Sequence, residues 1–169
     1  KTLGIYGLGK IGGVMAEYAK PFGMKVLVWG RESTLARARE QGLPVAASRE
    51  AFFAESDVLS LHVRATAETN GLVTAADLAL MKPTALFLNT SRASLVAPGA
   101  LVAALRAGRP GMAAVDVFDE EPALGARDPL IQLPNVVCTP HLGYVEAQTY
   151  EFALGAAFDQ VLAFAEGKP

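Results

Sequence analysis

Short runs of Val, Leu and Ile alternate along this chain with longer stretches whose apolar residues recur every three or four positions, a pattern that predicts strands alternating with helices. The runs fall at Leu3–Tyr6, Lys25–Val28, Val58–Leu61, Ala85–Leu88, Ala113–Val115 and Val136–Cys138. Almost none shows the in-and-out alternation of a half-exposed sheet, so both faces are expected to be covered. Repeated strand–helix–strand units imply a largely parallel arrangement. The expected architecture is therefore α/β, a doubly wound, mostly parallel sheet with helices on both faces.

Between the first two runs, Ile11, Val14, Met15, Tyr18 and Phe22 recur at helical spacing and are predicted to lay an apolar face on the sheet. Pro21 and Gly23 should close that helix. Ser33–Gln41 predicts a polar-faced helix capped by Ser33 or Thr34, and Ser48–Ala54 a shorter one capped by Ser48. Ala97–Ala107 predicts a helix with Pro98 in its first turn and Gly108 at its end. A last long helix is expected over roughly Glu146 to Glu166. Asp119–Pro134, with three prolines and little periodicity, reads as a surface excursion of the kind that often bears function.

Composition narrows the setting. With 169 residues, 51% hydrophobic and 19% charged, the chain can bury a sizeable core as one domain and is too apolar to be disordered. Its 15 Lys and Arg against 17 Asp and Glu leave a net charge of −2, so the basic footprint of a nucleic-acid or anionic-membrane binder is missing. No apolar run approaches the ~18 residues of a membrane span. One Cys and two His make neither an internal disulfide nor a recognisable metal-ligand cluster, which fits a reducing, cytoplasmic setting. No targeting segment is visible. The chain opens without Met in a core strand and closes in linker-like residues, Glu166-Gly167-Lys168-Pro169. It reads as a single domain, residues 1–169, of a longer protein.

A nucleotide-binding role for this domain is suggested by the run Gly7-Leu8-Gly9-Lys10-Ile11-Gly12, which follows the first strand and opens the first helix. Alone, a Gly-x-Gly-x-x-Gly string is weak. Between strand and helix it has a physical rationale: Gly7 permits the tight turn, Gly9 lets the backbone approach a pyrophosphate, and Gly12 allows close helix–strand packing. The phosphates would sit at the positive end of the helix. Gly7, Gly9, Lys10, Ile11 and Gly12 are thus candidate cofactor-binding residues of a Rossmann-type domain. About 20 residues on, an NAD-selective site would place an acidic residue for the ribose hydroxyls. Here the sequence reads Val28-Trp29-Gly30-Arg31-Glu32. Gly30 removes the charge that would repel a 2′-phosphate and Arg31 offers that phosphate a partner, so NADP is slightly favoured over NAD. The other reading leaves Arg31 in solvent and lets Glu32 serve the ribose.

If the strands are placed correctly, the polar residues past their ends are Gly7, Gly30, His62, Thr90-Ser91-Arg92, Asp116 and Thr139-Pro140-His141. All fall at the carboxyl edge, where an open parallel sheet binds its ligand. His62 by itself fits a structural histidine as well as a ligand contact.

Several blocks then resemble the D-isomer-specific 2-hydroxyacid dehydrogenase family: Thr2 through Gly12, Phe22-Gly23-Met24-Lys25-Val26, Asn89-Thr90-Ser91-Arg92, Val115-Asp116-Val117-Phe118 with Glu121-Pro122, and Thr139-Pro140-His141-Leu142-Gly143. They run in order along the whole chain. The resemblance implies the nucleotide-binding domain of a two-domain oxidoreductase that moves a hydride between NAD or NADP and a small 2-oxo or 2-hydroxy acid, with the substrate domain built from flanking chain. It implies that Arg92 clamps the carboxylate and keto oxygen, that His141 is the acid–base residue with Glu121 as its carboxylate partner, and that Asp116 orients the nicotinamide carboxamide. His62, Val63, Thr90, Ser91, Arg92, His141 and Gly143 would join the cofactor contacts, and a homodimer through this domain is implied. The chemistry suits the types: guanidinium matches carboxylate in bidentate geometry, and imidazole, with an ordinary pKa of ~6.5, exchanges a proton near neutrality.

Three positions depart from the family pattern. Ala93 replaces a glycine after the arginine; Arg64 stands where proline is common, near the expected adenosine; and Tyr144 takes a place commonly held by a small residue, narrowing the cleft. A second reading keeps the fold without chemistry, as a dinucleotide sensor or co-regulator. A third has another hydride acceptor, such as formate or an amino acid.

Overall fold

A computed structural model describes residues 1–124 and 127–168. Its strands are β1 (Thr2–Tyr6), β2 (Lys25–Trp29), β3 (Val58–Leu61), β4 (Leu86–Asn89), β5 (Met112–Val115) and β6 (Val136–Cys138), and its helices α1 (Lys10–Ala19), α2 (Glu32–Glu40), α3 (Arg49–Glu55), α4 (Ala75–Leu80), α5 (Ala100–Arg106) and α6 (Ala147–Ala165). The six strands form one sheet in the order β2-β1-β3-β4-β5-β6, and every pairing is parallel. A single parallel bridge between Val28 and Val45 extends the sheet beyond β2. This is the doubly wound, Rossmann-type arrangement read from the hydrophobic pattern.

Alternate residues of the strands feed two cores. Leu3, Ile5, Val26 and Val28 face α1 and α2, while Tyr6, Leu27, Leu59, Leu61 and Phe87 face the larger cluster beneath α3, α4 and α5. Because all strands run the same way, their carboxyl ends open on one edge, and the chain order reverses between β1 and β3. That is where such a sheet leaves a crevice.

The structure corrects several local expectations. The apolar stripe of α1 does not lie on the sheet: Ile11, Val14, Tyr18 and Phe22 are 69%, 50%, 62% and 81% exposed, and the buried face is Gly12, Ala16 and Ala19, with Met15 half-buried. Small residues win because α1 sits so close to β1 that a Cβ on Gly12 would come 2.2 Å from the Gly7 carbonyl oxygen. Helix α2 begins earlier than Ser33, with Arg31 at its N-cap and no side-chain cap. The Arg31 carbonyl already accepts from Thr34 and Leu35, so the helix needs neither Ser33 nor Thr34 to start. Helix α5 starts at Ala100, leaving Pro98 outside, because Val96 bridges Val73 and the Ala97 N–H donates to Val73, which holds this stretch extended. Gly99 makes the entry turn at φ 72°, and Gly108 the predicted exit at φ 78°.

Other expectations hold. Ser48 caps α3 by accepting from the Ala51 N–H, and α6 spans Ala147–Ala165 between Glu146 and Glu166. The excursion Asp119–Pro134 contains a 3₁₀ turn at Pro129–Gln132; its positions 125 and 126, like Pro169, lie outside the described residues. Helix α4, unforeseen, is held by a capping box between Thr74 and Asp77. Helix α6 has no buried residue. Among the described residues no helix is long and apolar enough to cross a membrane.

Candidate active site

The glycine turn is built by close backbone contacts. The Gly7 N–H donates to the Trp29 carbonyl, and at φ 96° a Cβ there would lie 2.7 Å from the His62 carbonyl oxygen. Gly12 is equally crowded, as above. Gly9 differs, since a Cβ there would meet no atom within 4 Å. Nothing in the protein demands glycine at that position, whereas a pyrophosphate brought against the backbone would. The three glycines thus fit a dinucleotide, each for its own reason. Arg37 Nη1 donates to the Leu8 carbonyl at 2.8 Å and fixes the outer side of the turn.

Beneath the turn lies a network that sequence reading did not find. Arg49 forms a two-point ion pair with buried Asp77, at 2.7 and 2.8 Å, and also donates to the Tyr6 hydroxyl and the Leu72 carbonyl. Its guanidinium lies beside the rings of Tyr6 and Phe53. Burial opposes the Asp77 charge, but the Arg49 and Thr74 hydrogen bonds prevail and hold the carboxyl below its ordinary range. Tyr6, the residue before the glycine turn, is thereby pinned. No motif signals this group, because its members come from β1, the starts of α3 and α4, and the loop between.

At the end of β2, Gly30 cannot take a side chain without moving Thr34, whose Cγ2 would lie 2.9 Å from the new Cβ. Arg31 is exposed at the start of α2. Glu32 is engaged with Arg39 at 2.9 Å. His62, after β3, bonds Ser60 Oγ through Nε2 at 2.9 Å, and burial pushes its pKa down. Burial thus disfavours the charged ring, and it is the His62 backbone that abuts Gly7. Arg64 stands exposed just beyond half-buried Val63.

After β4, Asn89 organises the Thr90-Ser91-Arg92 turn. It is 2% exposed, its Nδ2 donates to the Arg92 carbonyl at 2.9 Å, and its Oδ1 accepts from the Ser91 N–H at 3.1 Å. Ser91 Oγ reaches the Val63 carbonyl and ties this turn to the one after β3. The Arg92 side chain is exposed and bonds the Ser91 carbonyl through Nη1.

Asp116, after β5, does for the next loop what Asn89 does for this one. Its N–H donates to the Asn89 carbonyl, its Oδ1 accepts from Thr139 Oγ1 and the Leu142 N–H, and its Oδ2 accepts from the Gly143 N–H. Burial would raise its pKa, but these hydrogen bonds outweigh burial and lower it. The carboxylate brackets His141 on both sides.

His141 lies at φ 55°, a left-handed conformation uncommon for a residue with a side chain. Its Nδ1 meets Glu121 Oε2 at 2.7 Å. Glu121 also accepts from the Phe118 N–H through Oε1, and the His141 and Phe118 hydrogen bonds hold its carboxyl below the ordinary range. With Nδ1 engaged, Nε2 is the nitrogen left to meet a reacting oxygen. Glu121, His141, Pro122, Phe118 and Tyr144 line a cleft of ≈ 520 Å³. The geometry therefore unites Glu121 and His141, twenty residues apart, and sets Arg92 on the neighbouring loop, with its positive field favouring the Glu121 anion. Asn89 and the loop-holding role of Asp116 are what sequence reading missed; buried polar residues at adjacent strand ends were the available signal. Among the described residues, no three His, Cys, Asp or Glu side chains are grouped to hold a metal ion.

Residues 1–143 match the model of the D-isomer specific 2-hydroxyacid dehydrogenase, NAD binding domain. The chain belongs to this family. It is 42% identical over 168 residues to a glyoxylate reductase from Aeropyrum pernix, covering 99% of this chain and 50% of that protein. The chain thus spans about half the length of the curated relatives it matches. A phosphoglycerate oxidoreductase from Vibrio cholerae superposes with a TM-score of 0.94 at 52% identity, over 99% of this chain and 53% of that one. The NAD-complexed form of a D-isomer specific 2-hydroxyacid dehydrogenase from Lactobacillus delbrueckii ssp. bulgaricus gives 0.79 at 26%, over 99% and 54%. The part of the chain that matches the NAD-binding domain includes the glycine turn, where a Cβ on Gly9 would have open space.

Proposed function

We propose that the full-length protein is an NAD(P)-dependent oxidoreductase that interconverts a small 2-oxo acid and its 2-hydroxy acid. The observation that bears most weight is the Glu121–His141 hydrogen bond on the cleft beside the glycine turn's edge of the sheet. The bound dinucleotide supplies or takes the hydride. Arg92 holds the substrate carboxylate through its guanidinium fork. His141, oriented through Nδ1 by Glu121, donates a proton from Nε2 to the carbonyl oxygen during reduction and takes it back in the reverse direction. Glu121 fixes the imidazole through Nδ1 while Asp116 fixes the loop that presents it. Relatives named glyoxylate reductase and D-3-phosphoglycerate dehydrogenase support this reading over a sensor that binds without turnover.

Gly30 and Arg31 favour NADP, and Glu32, the acidic residue that follows them, is paired with Arg39. The decisive experiment is turnover of NADPH and NADH with glyoxylate, hydroxypyruvate, pyruvate and phenylpyruvate, by wild type and Arg31→Ala. Reduction of at least one acid is expected, with Arg31→Ala weakening NADPH more than NADH. No turnover of any acid would defeat the catalytic reading; equal losses for both cofactors would defeat the phosphate contact.

The substrate domain is assigned to chain flanking residues 1–169, and the exposed faces of α6, which buries no residue here, offer it a surface to pack on. The exposed stripe Ile11, Val14, Tyr18 and Phe22 supports a homodimer through α1. Light scattering on the full-length protein should give twice the subunit mass, and Phe22→Glu should shift it toward the monomer; an unchanged dimer would remove α1 from the interface.

A further inference from the structure

Tyr144 stands three residues after His141 and is 57% exposed, so burial in the core is not what places its ring. Two aromatic contacts place it instead. The ring meets the His141 imidazole edge to face, with centroids 5.4 Å apart and planes at 84°. Behind it, Tyr150 in the first turn of α6 stacks at 6.4 Å and 30°. The backbone between the rings is anchored, since Leu142 and Gly143 donate to Asp116 and the Val145 N–H closes a turn onto the Leu142 carbonyl.

Glu121 holds His141 at one point, Nδ1, and a single hydrogen bond still allows the imidazole to tilt about it. A second contact from another direction removes that freedom. We infer that Tyr144 is a positioning residue of the acid–base pair: its ring, backed by Tyr150, fixes the plane of His141 so that Nε2 keeps one direction into the cleft. The inference rests on the oxidoreductase reading above and adds to it a residue that acts through His141. Reaction rates depend steeply on such alignment, because small misplacements of a reacting group are costly. T-shaped and stacked pairs of this kind have a preferred geometry, unlike simple apolar contact.

The test uses the full-length protein with its best 2-oxo acid and reduced cofactor. Tyr144→Ala should lower kcat by about 10-fold or more, with KM for the acid, cofactor Kd and Tm close to wild type. Tyr144→Leu, which keeps bulk without a ring, should behave like alanine, and Tyr144→Phe should restore turnover. Tyr150→Ala should show a weaker loss of the same kind. A raised KM at unchanged kcat would make Tyr144 a substrate contact and overturn the inference, as would wild-type kcat in both Tyr144→Ala and Tyr144→Leu. His141→Ala assayed alongside separates the two levels: if it is inactive while the Tyr144 variants are normal, only the positioning role fails. If it turns over normally, the acid–base reading itself fails and the positioning role falls with it.

Discussion

His141→Ala in the full-length protein is expected to lower turnover ~10²–10⁴-fold, the usual contribution of a placed general acid or base, while dissociation constants for the reduced cofactor stay near wild type. The reason is positional. Glu121 engages Nδ1 of the His141 ring and leaves Nε2 to the cleft, and the glycine turn proposed to hold the dinucleotide follows β1, on another strand. Glu121→Gln should also lose turnover, since a neutral amide replaces the charge-assisted hydrogen bond that holds His141 Nδ1 with a weaker one. The sign with pH follows from the depressed Glu121 pKa: the carboxylate is present above its ordinary range and is lost only as pH falls through its lowered value. The wild-type pair therefore persists into mild acid. Stopped-flow turnover together with fluorescence titration of the reduced cofactor checks both halves, and normal turnover in His141→Ala would remove the mechanism.

The second large effect separates two glycines in one turn. Gly12→Ala places a Cβ 2.2 Å from the Gly7 carbonyl oxygen, and both atoms belong to backbone that β1 and α1 hold in place. Such overpacking is expected to destabilise by about 1–3 kcal/mol and to distort the turn enough to weaken dinucleotide binding. Gly9→Ala meets no protein atom within 4 Å. It should leave stability unchanged and weaken binding alone, because only a bound pyrophosphate would feel the added methyl. Urea unfolding and cofactor titration of the two variants provide the comparison. Equal stability of Gly12→Ala and wild type would show that α1 can retreat from β1; undiminished binding by Gly9→Ala would show that the phosphates do not approach there.

Much of this architecture was legible in the order of residues. Six apolar runs marked the strands to within a residue or so, because a parallel sheet covered on both faces needs continuous Val, Leu and Ile. The glycine turn, the capping Ser48 and the last helix were local patterns with local causes. Strand ends marked Arg92 and His141 as candidates, but their roles and the choice of Glu121 came from family resemblance, since Glu121 and His141 come together across twenty residues and no spacing rule links them.

The tertiary structure decided what periodicity alone leaves open. A helical stripe says that one face is apolar, but which face is buried depends on how near the helix can come, and at α1 the close approach selected Gly12, Ala16 and Ala19 over the larger residues. Buried polar partnerships were likewise invisible: Arg49 with Asp77, Asn89 with the Arg92 turn, and Asp116 with the loop bearing His141. Each satisfies groups that burial would otherwise leave without water, and each joins residues from different strands or helices. The order of residues is thus enough for the parallel sheet, its shared carboxyl edge and the residue types available there for chemistry. The packing of those elements alone decided which side chains meet, because contact between distant residues is a property of the folded sheet and of the space its neighbours leave.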